Sequence, residues 1–182
     1  MEIEIKFPLH NPEQVITKLN TIAKITKQDM QQEDTYFVPA HRNFVERDPI
    51  KEWLRIRKTV KGAMLNYKNW HYKKGKTTHC DEYETLITNV EALERIFNSL
   101  NMNSVIVVNK KRSTWLLDGV EIAVDHVKEL GWFIELEAKD EFESIEKATE
   151  HLHNTLGKLD AKVGEQDYKG YPYLLLEKNY KE

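Results

Sequence analysis

The stretch Glu2-Ile3-Glu4-Ile5-Lys6-Phe7 decides how the rest of the chain is read. It alternates strictly between charged and apolar side chains. Successive side chains of a strand point to opposite faces, so Glu2, Glu4 and Lys6 share one face while Ile3, Ile5 and Phe7 share the other. The same period recurs along the chain. Leu54-Arg55-Ile56-Arg57 sets two arginines on one face, and Asn66 and Lys68 lie opposite Leu65 and Tyr67. Glu82-Tyr83-Glu84 pairs two acids, and a strand over 105–112 ends with Lys110 and Arg112 on one face. Asp125 is in register with Ala123 and Glu121, and the strand from Gly131 to Ala138 aligns Phe133, Glu135 and Glu137.

Helical spacing separates these strands. Asn11-Pro12-Glu13-Gln14 reads as a helix start with a capping box, followed by Val15, Ile16, Leu19, Ile22 and Ala23 on one stripe. Asn89 caps a second helix with Val90, Leu93, Ile96, Phe97 and Leu100, and Ser144 opens a third with Ile145, Ala148, Leu152 and Leu156. Further strands are expected at 34–38, 63–70 and 120–127, with Asp118-Gly119 as a hairpin turn. Residues 39–49 read as a polar loop, 71–81 as a mobile, basic hairpin tip, and the aromatic tail 170–176 as a segment docked on the body.

The whole-chain quantities agree with a single domain over 1–182. The chain has 182 residues, 40% of them hydrophobic, and 27 basic against 30 acidic side chains give a net charge of −3. That length can bury a substantial core, and that hydrophobic content excludes a disordered chain. The balanced charge argues against a nucleic-acid partner. One cysteine, Cys80, excludes an internal disulfide framework. No apolar run reaches the roughly 18 residues of a membrane span, and no signal-peptide core follows Met1. The expected setting is the cytoplasm, with no membrane partner. Oligomeric state is not fixed by the sequence, and a homodimer is compatible with a barrel of this size.

Collected on one face, the alternating positions are Glu2, Glu4, Lys6, Arg55, Arg57, Lys68, Glu82, Glu84, Lys110, Arg112, Asp125, Glu135 and Glu137. An ordinary sheet with one wet side would explain any single strand. The recurrence of charge pairs with little Ser, Thr or Gln between them favours a curled sheet whose charged face becomes a lumen. Interior charges must be paired, hydrated or neutralised by ligand. A polyphosphate carried with divalent metal needs cations for its oxygens and carboxylates for its metal.

Glu2-x-Glu4-x-Lys6 at the N-terminus resembles the ExExK signature of the CYTH superfamily, the triphosphate tunnel metalloenzymes. Leu54-Arg55-Ile56-Arg57, Tyr67-Lys68, Glu82-Tyr83-Glu84, Lys110-Lys111-Arg112, Val124-Asp125-His126 and Gly131-Trp132-Phe133-Ile134-Glu135-Leu136-Glu137 follow in the family's order over nearly the whole chain. Within that superfamily, Asp34-Thr35-Tyr36-Phe37 and the terminal Gly170-Tyr171-Pro172-Tyr173-Leu174-Leu175 look most like the class IV adenylyl cyclase branch.

The resemblance implies an α+β fold: a closed or nearly closed eight-stranded antiparallel β-barrel, the triphosphate tunnel, with helices packed outside. It implies Mg²⁺ or Mn²⁺ held by Glu4 and Glu135, with Glu2 and Glu137 as further ligands. It implies a triphosphate held by Lys6, Arg55, Arg57, Lys68, Lys110 and Arg112, with Glu82 and Glu84 on the same wall. Asp125 and Lys6 are the candidate catalytic groups. Asp125 would orient a basic residue, contact the second metal or help activate the nucleophile. Lys6 would help activate water in a hydrolase. The expected reaction is conversion of ATP to cyclic AMP and pyrophosphate. The alternative is hydrolysis of inorganic triphosphate, thiamine triphosphate or a nucleoside triphosphate, and a third reading is a triphosphate-sensing module without turnover.

Other candidates carry less. The spacing of His71, His79 and Cys80 matches no standard zinc pattern, and Cys80 has no nucleophile motif around it. The run from Lys73 to Lys76 reads as a solvated tip. His126 falls on the face opposite Asp125. Trp53, Trp70, Trp115 and Trp132 read as packing, although Trp70 shares its face with Lys68.

Overall fold

The computed structural model describes residues 2–47, 49–73 and 75–180. The described elements are β1 (Glu4–Pro8), α1 (Pro12–Ile22), β2 (Lys24–Pro39), a short 3-10 turn (Phe44–Glu46), β3 (Glu52–Thr59), β4 (Gly62–Lys73) and β5 (Lys76–Ile87). They continue with α2 (Val90–Ser99), β6 (Met102–Leu117), β7 (Val120–Val127), β8 (Gly131–Ala138), α3 (Ile145–Gly157) and α4 (Tyr171–Asn179). The eight strands make one sheet in the order β1-β8-β7-β6-β2-β3-β4-β5, and the ladders with described registers are antiparallel. The α+β class and the eight-stranded antiparallel sheet are those expected from the sequence.

The chain forms two compact units, one of residues 1–30 with 110–168 and one of 31–109 with 169–182. In the first, the apolar members of each alternation gather on one sheet face: Ile5 and Phe7 of β1, Trp115 of β6, Val120, Ile122 and Val124 of β7, and Ile134 and Leu136 of β8. Val15 and Leu19 of α1 and Leu152 of α3 cover them. Each such side chain contributes about 1.5–3 kcal/mol by leaving water. In the second unit, Phe37 of β2, Ile56 of β3 and Phe97 of α2 form the centre, with Phe37 and Phe97 edge to face at 5.1 Å. In both units the helices named here therefore sit on the apolar face, leaving the other face to the charged positions.

The Asp118-Gly119 turn has φ values of 49° and 73°, the paired positive φ that tight antiparallel hairpins favour. At Gly119 a Cβ would also lie 1.9 Å from Asp140 Oδ2. Asn89 and Ser144 cap α2 and α3 as expected, accepting from Ala92 N at 2.9 Å and Lys147 N at 3.2 Å. Asn11 does not cap α1 through its side chain. Its Oδ1 accepts from Lys162 N (2.7 Å), and its Nδ2 donates to the Asp160 carbonyl (3.0 Å) and to Gln14 (2.9 Å). The side chain ties the helix start to the segment after α3 instead.

Three stretches are more regular than their polarity suggested. β2 begins at Lys24 rather than near residue 34, and β6 runs from Met102 to Leu117. Residues 71–73 and 76–81 belong to the β4–β5 ladder, with Trp70 opposite Cys80 and His71 opposite His79. A strand is held by backbone bonds, which polar side chains do not disturb, and the alternation through Trp70, Tyr72 and Cys80 still gives that hairpin a nonpolar side. Lys74 of the basic run lies outside the described residues. Among the described residues no helix is long and apolar enough to cross a membrane.

Candidate functional site

Register alone brings the charged positions of the first unit together. β1 and β8 pair Lys6 with Glu135 and Glu4 with Glu137, β7 and β8 pair Ala123 with Glu135, and β6 and β7 pair Arg112 with Asp125. Their side chains form one continuous chain of opposite charges. Lys6 Nζ lies 3.1 Å from Glu4 Oε1 and 2.9 Å from Glu135 Oε2. Glu135 Oε1 reaches Arg112 Nη2 at 3.1 Å. Arg112 grips Asp125 with two hydrogen bonds of 2.7 and 2.6 Å, and Lys110 Nζ stands 3.6 Å from the same carboxylate. A second acidic end holds Glu137, whose Oε1 is 2.5 Å from Lys139 Nζ, with Glu121 at 4.0 Å from that ammonium.

The electrostatics follow from burial opposed by pairing. Burial disfavours the Lys6 ammonium, but Glu135, Glu4 and Asp167 outweigh it and raise its pKa well above the usual lysine range. Burial pushes the Asp125 carboxyl upward, but Arg112 and Lys110 overcome this and hold it below its ordinary value. Glu137 goes the other way. Burial, reinforced by Glu2 and Glu135 and opposed by Lys139, lifts it to about 7.

The second unit carries its own charged face. β2 pairs Asp34 with Arg57 and Tyr36 with Arg55, and β3 pairs Arg55 with Asn66 of β4. Asp34, 1% exposed, accepts from Arg57 Nε and Nη2 at 2.7 Å each and from Arg55 Nη1 at 3.3 Å. Arg55 Nη1 also donates to the Tyr36 hydroxyl at 3.4 Å. Asn66 Nδ2 donates to Glu82 (2.5 Å) and Glu84 (3.0 Å), and Lys68 Nζ lies 3.5 Å from Glu82 and 5.5 Å from the Trp70 ring centre.

The sequence-derived candidates thus fall into two sets: Glu4, Lys6, Lys110, Arg112, Asp125 and Glu135, with Glu137 on the same face, and Arg55, Arg57, Lys68, Glu82 and Glu84. Glu2 is buried beside the start of β1. His126 faces away from Asp125 and packs on Trp132 at 4.7 Å, and Trp115 is core, its Nε1 donating to Asn20 at 2.9 Å. Asp34, Tyr36 and Asn66 were not read as site residues. The signal was present, because Gln32, Asp34 and Tyr36 are a polar i, i+2 series like Glu2, Glu4 and Lys6.

Glu2, Glu4, Glu135 and Glu137 offer only oxygen donors, which suits a hard divalent cation. Among the described residues no three acidic, histidine or cysteine side chains are gathered as a ready-made cation site. Lys6 takes Glu4 and Glu135, and Lys139 takes Glu137. Glu137 is raised chiefly by burial, with Glu2 and Glu135 adding to it, so it is the donor chemistry of these carboxylates that fits a divalent cation.

Comparison with known proteins was made over the whole chain. The family described as CYTH domain matches residues 1–171. A Methanocaldococcus jannaschii protein named "Putative adenylate cyclase" is 33% identical over 138 residues, 75% of this chain and 76% of that one. The solved PH1819 protein from Pyrococcus horikoshii superposes with a TM-score of 0.83 at 28% identity, covering 98% of this chain and 99% of that one. HpAC1 from Hippeastrum, named a "putative adenylyl cyclase" and described as having a dominant triphosphatase activity, superposes at 0.64 over 99% and 96% of the two chains. At 16% identity that likeness speaks for the fold alone.

Proposed function

The chain belongs to the CYTH family of triphosphate-tunnel enzymes, and on that premise we propose that it is a divalent-metal-dependent adenylyl cyclase converting ATP to cyclic AMP and pyrophosphate. The observation that carries the reading is the unbroken series Glu4–Lys6–Glu135–Arg112–Asp125–Lys110 on one sheet face. Such a series has both the cations that take phosphoryl oxygens and the carboxylates that take their counter-ions. The name of the M. jannaschii relative supports the choice of cyclisation.

In this reading Lys6, Lys110 and Arg112 of the first unit hold phosphoryl oxygens; in the second unit Arg55, Arg57 and Lys68 are likewise candidates to take phosphate, with Glu82 and Glu84 fixing Lys68 and Asn66. Glu4 and Glu135, with Glu2 and Glu137, would hold Mg²⁺ or Mn²⁺, which supplies positive charge to the phosphoryl oxygens. The ribose 3′ hydroxyl gives its proton to solvent as its oxygen bonds to the α-phosphorus, the bond from that phosphorus to the bridging oxygen breaks, and pyrophosphate leaves. The cations stabilise charge on the leaving group. Lys6 is a permanent ammonium at neutral pH, so it contributes charge and is unsuited to removing a proton from water. Asp125 acts by aiming Arg112 and Lys110.

Incubation with ATP and Mn²⁺ or Mg²⁺ should yield cyclic AMP and pyrophosphate. Orthophosphate instead would make the protein a triphosphatase, and no product from ATP, inorganic triphosphate or thiamine triphosphate would overturn both readings. Glu4→Gln and Glu135→Gln should each lower turnover by roughly 100-fold while the protein still unfolds cooperatively. Wild-type rates in both variants would remove the carboxylates from the site.

A further inference from the structure

Among the described residues, two buried side-chain atoms of the second unit have no protein partner, and they have opposite polarity. One is Arg55 Nε, a donor, and the other is Gln32 Oε1, an acceptor. Gln32 is 7% exposed and shares its strand face with buried Asp34 and Tyr36, while Gln31 and Glu33 on either side of it are exposed. On the β2–β3 ladder, Gln32 pairs with Thr59, Asp34 with Arg57 and Tyr36 with Arg55. The two unpaired atoms therefore belong to positions that bracket the Asp34–Arg57 pair. Arg57 has Nε and Nη2 both engaged by Asp34, whereas Arg55 meets Asp34 and Tyr36 through Nη1 only. The Nε edge of Arg55 is left for an anion, as a planar guanidinium offers it.

An orphaned carbonyl in this company is unusual. Buried polar groups are paired in the great majority of cases, and the neighbouring cations recruit oxygens that Gln32 Oε1 would repel. What satisfies it is an O–H or N–H. We propose that Gln32 is a specificity-determining residue, whose side-chain carbonyl accepts a hydrogen bond from the organic part of a triphosphate ester, a ribose hydroxyl or a base amine. Inorganic triphosphate, with oxygens alone, leaves it unpaired. The inference rests on the triphosphate reading above and deepens it, by assigning the site a preference for nucleoside triphosphates.

The test is a ratio of affinities, measured by calorimetry on the full chain in Mg²⁺ with a nonhydrolysable ATP analogue and with inorganic triphosphate. Gln32→Met keeps the side chain's length and removes the acceptor. It should lower the analogue-to-triphosphate affinity ratio by about tenfold, the scale set by leaving one buried hydrogen-bonding group unmatched. Binding of inorganic triphosphate should be unchanged or improved. Gln32→Glu keeps an acceptor. Its added charge weakens both ligands, but the ratio should stay near that of the wild type. Analogues lacking the 2′ or the 3′ hydroxyl separate a ribose donor from a base amine, since loss of the responsible hydroxyl should reproduce the Met effect in the wild type. An unchanged ratio in a folded Gln32→Met protein, or equal weakening of both ligands, overturns the inference and leaves the triphosphate reading intact. If the wild type binds neither ligand, the triphosphate reading falls, and this inference with it.

Discussion

Replacing Asp125 by Asn tests whether the charged face of the first unit is a set of mutually dependent pairs. Asp125 is fully buried. It accepts two hydrogen bonds from Arg112 and stands 3.6 Å from Lys110, itself 4% exposed. Asn preserves the shape and one oxygen but removes the charge, so two buried cations lose a common partner. Removing one side of a buried ion pair costs about 3–5 kcal/mol. Glu135 still holds Arg112 at 3.1 Å, which puts the expected loss at the lower end, about 3 kcal/mol. A chain of this length shifts its midpoint by roughly 3 °C per kcal/mol, so Tm should fall by about 9 °C in scanning calorimetry.

The informative part is the rescue. In the wild type an incoming polyanion competes with Asp125 for Arg112, while in Asp125→Asn it meets cations that have lost the Asp125 charge. Saturating inorganic triphosphate with Mg²⁺ should therefore raise Tm more in the variant than in the wild type and recover most of the loss. The acid limb should change too. The folded Asp125 carboxyl lies below its unfolded value, so its stabilisation is complete above the unfolded pKa and is lost as pH falls through the folded one. The variant should lack that part of the acid-induced fall. An unaltered Tm, or equal stabilisation of both proteins by triphosphate, would refute the reasoning.

Glu137 predicts a pH signature of opposite sign. Its folded pKa of about 7 exceeds the unfolded value near 4.5, so the fold favours the proton and stability declines as pH rises between those values. A divalent cation bound there favours the carboxylate. Mn²⁺ binding should thus strengthen from about pH 5 to 7, release a proton over that range, and level off above it, and Glu137→Gln should remove both effects in calorimetry across buffers of different ionisation enthalpy. In the second unit, Asp34→Asn should cost about 3 kcal/mol in urea unfolding, since Arg55 and Arg57 both depend on that carboxylate. A loss below about 1 kcal/mol would mean the arginines are held by something else.

The alternation of charged and apolar residues made the strand faces legible because the period of a strand is a backbone property. Glu135 and Glu137 could be assigned to one face without any knowledge of their neighbours. Register was not legible, because it depends on which strands meet: nothing local in Lys6 says that it bridges Glu4 and Glu135. Asp34 is legible as one member of a polar i, i+2 series, but its grip on Arg57 is not, since that exists only once the two strands are paired. Strand ends were misjudged where polarity was taken for irregularity, as at Lys24 and His71. Asn11 carried the right cap chemistry, but Lys162 and Asp160, about 150 positions away, compete for the same side-chain atoms.

The pairing in the first unit also explains why a wall proposed to bind a polyanion would carry so many carboxylates. Lys6, Lys110 and Arg112 are matched by Glu4, Asp125 and Glu135, so the face is neutral by internal pairing and its burial is tolerable. A polyphosphate entering alone would take the cations and leave the carboxylates buried without partners. A divalent cation entering alone would do the reverse to the ammonium and guanidinium groups. Entering together, each supplies what the other displaces, and the exchange leaves no buried charge unmatched. Cations alone would bind the anion more tightly, but they would repel one another in the empty protein. The carboxylates resolve that conflict, and in the proposed reading the same groups that keep the unliganded face stable would hold metal once the phosphates arrive.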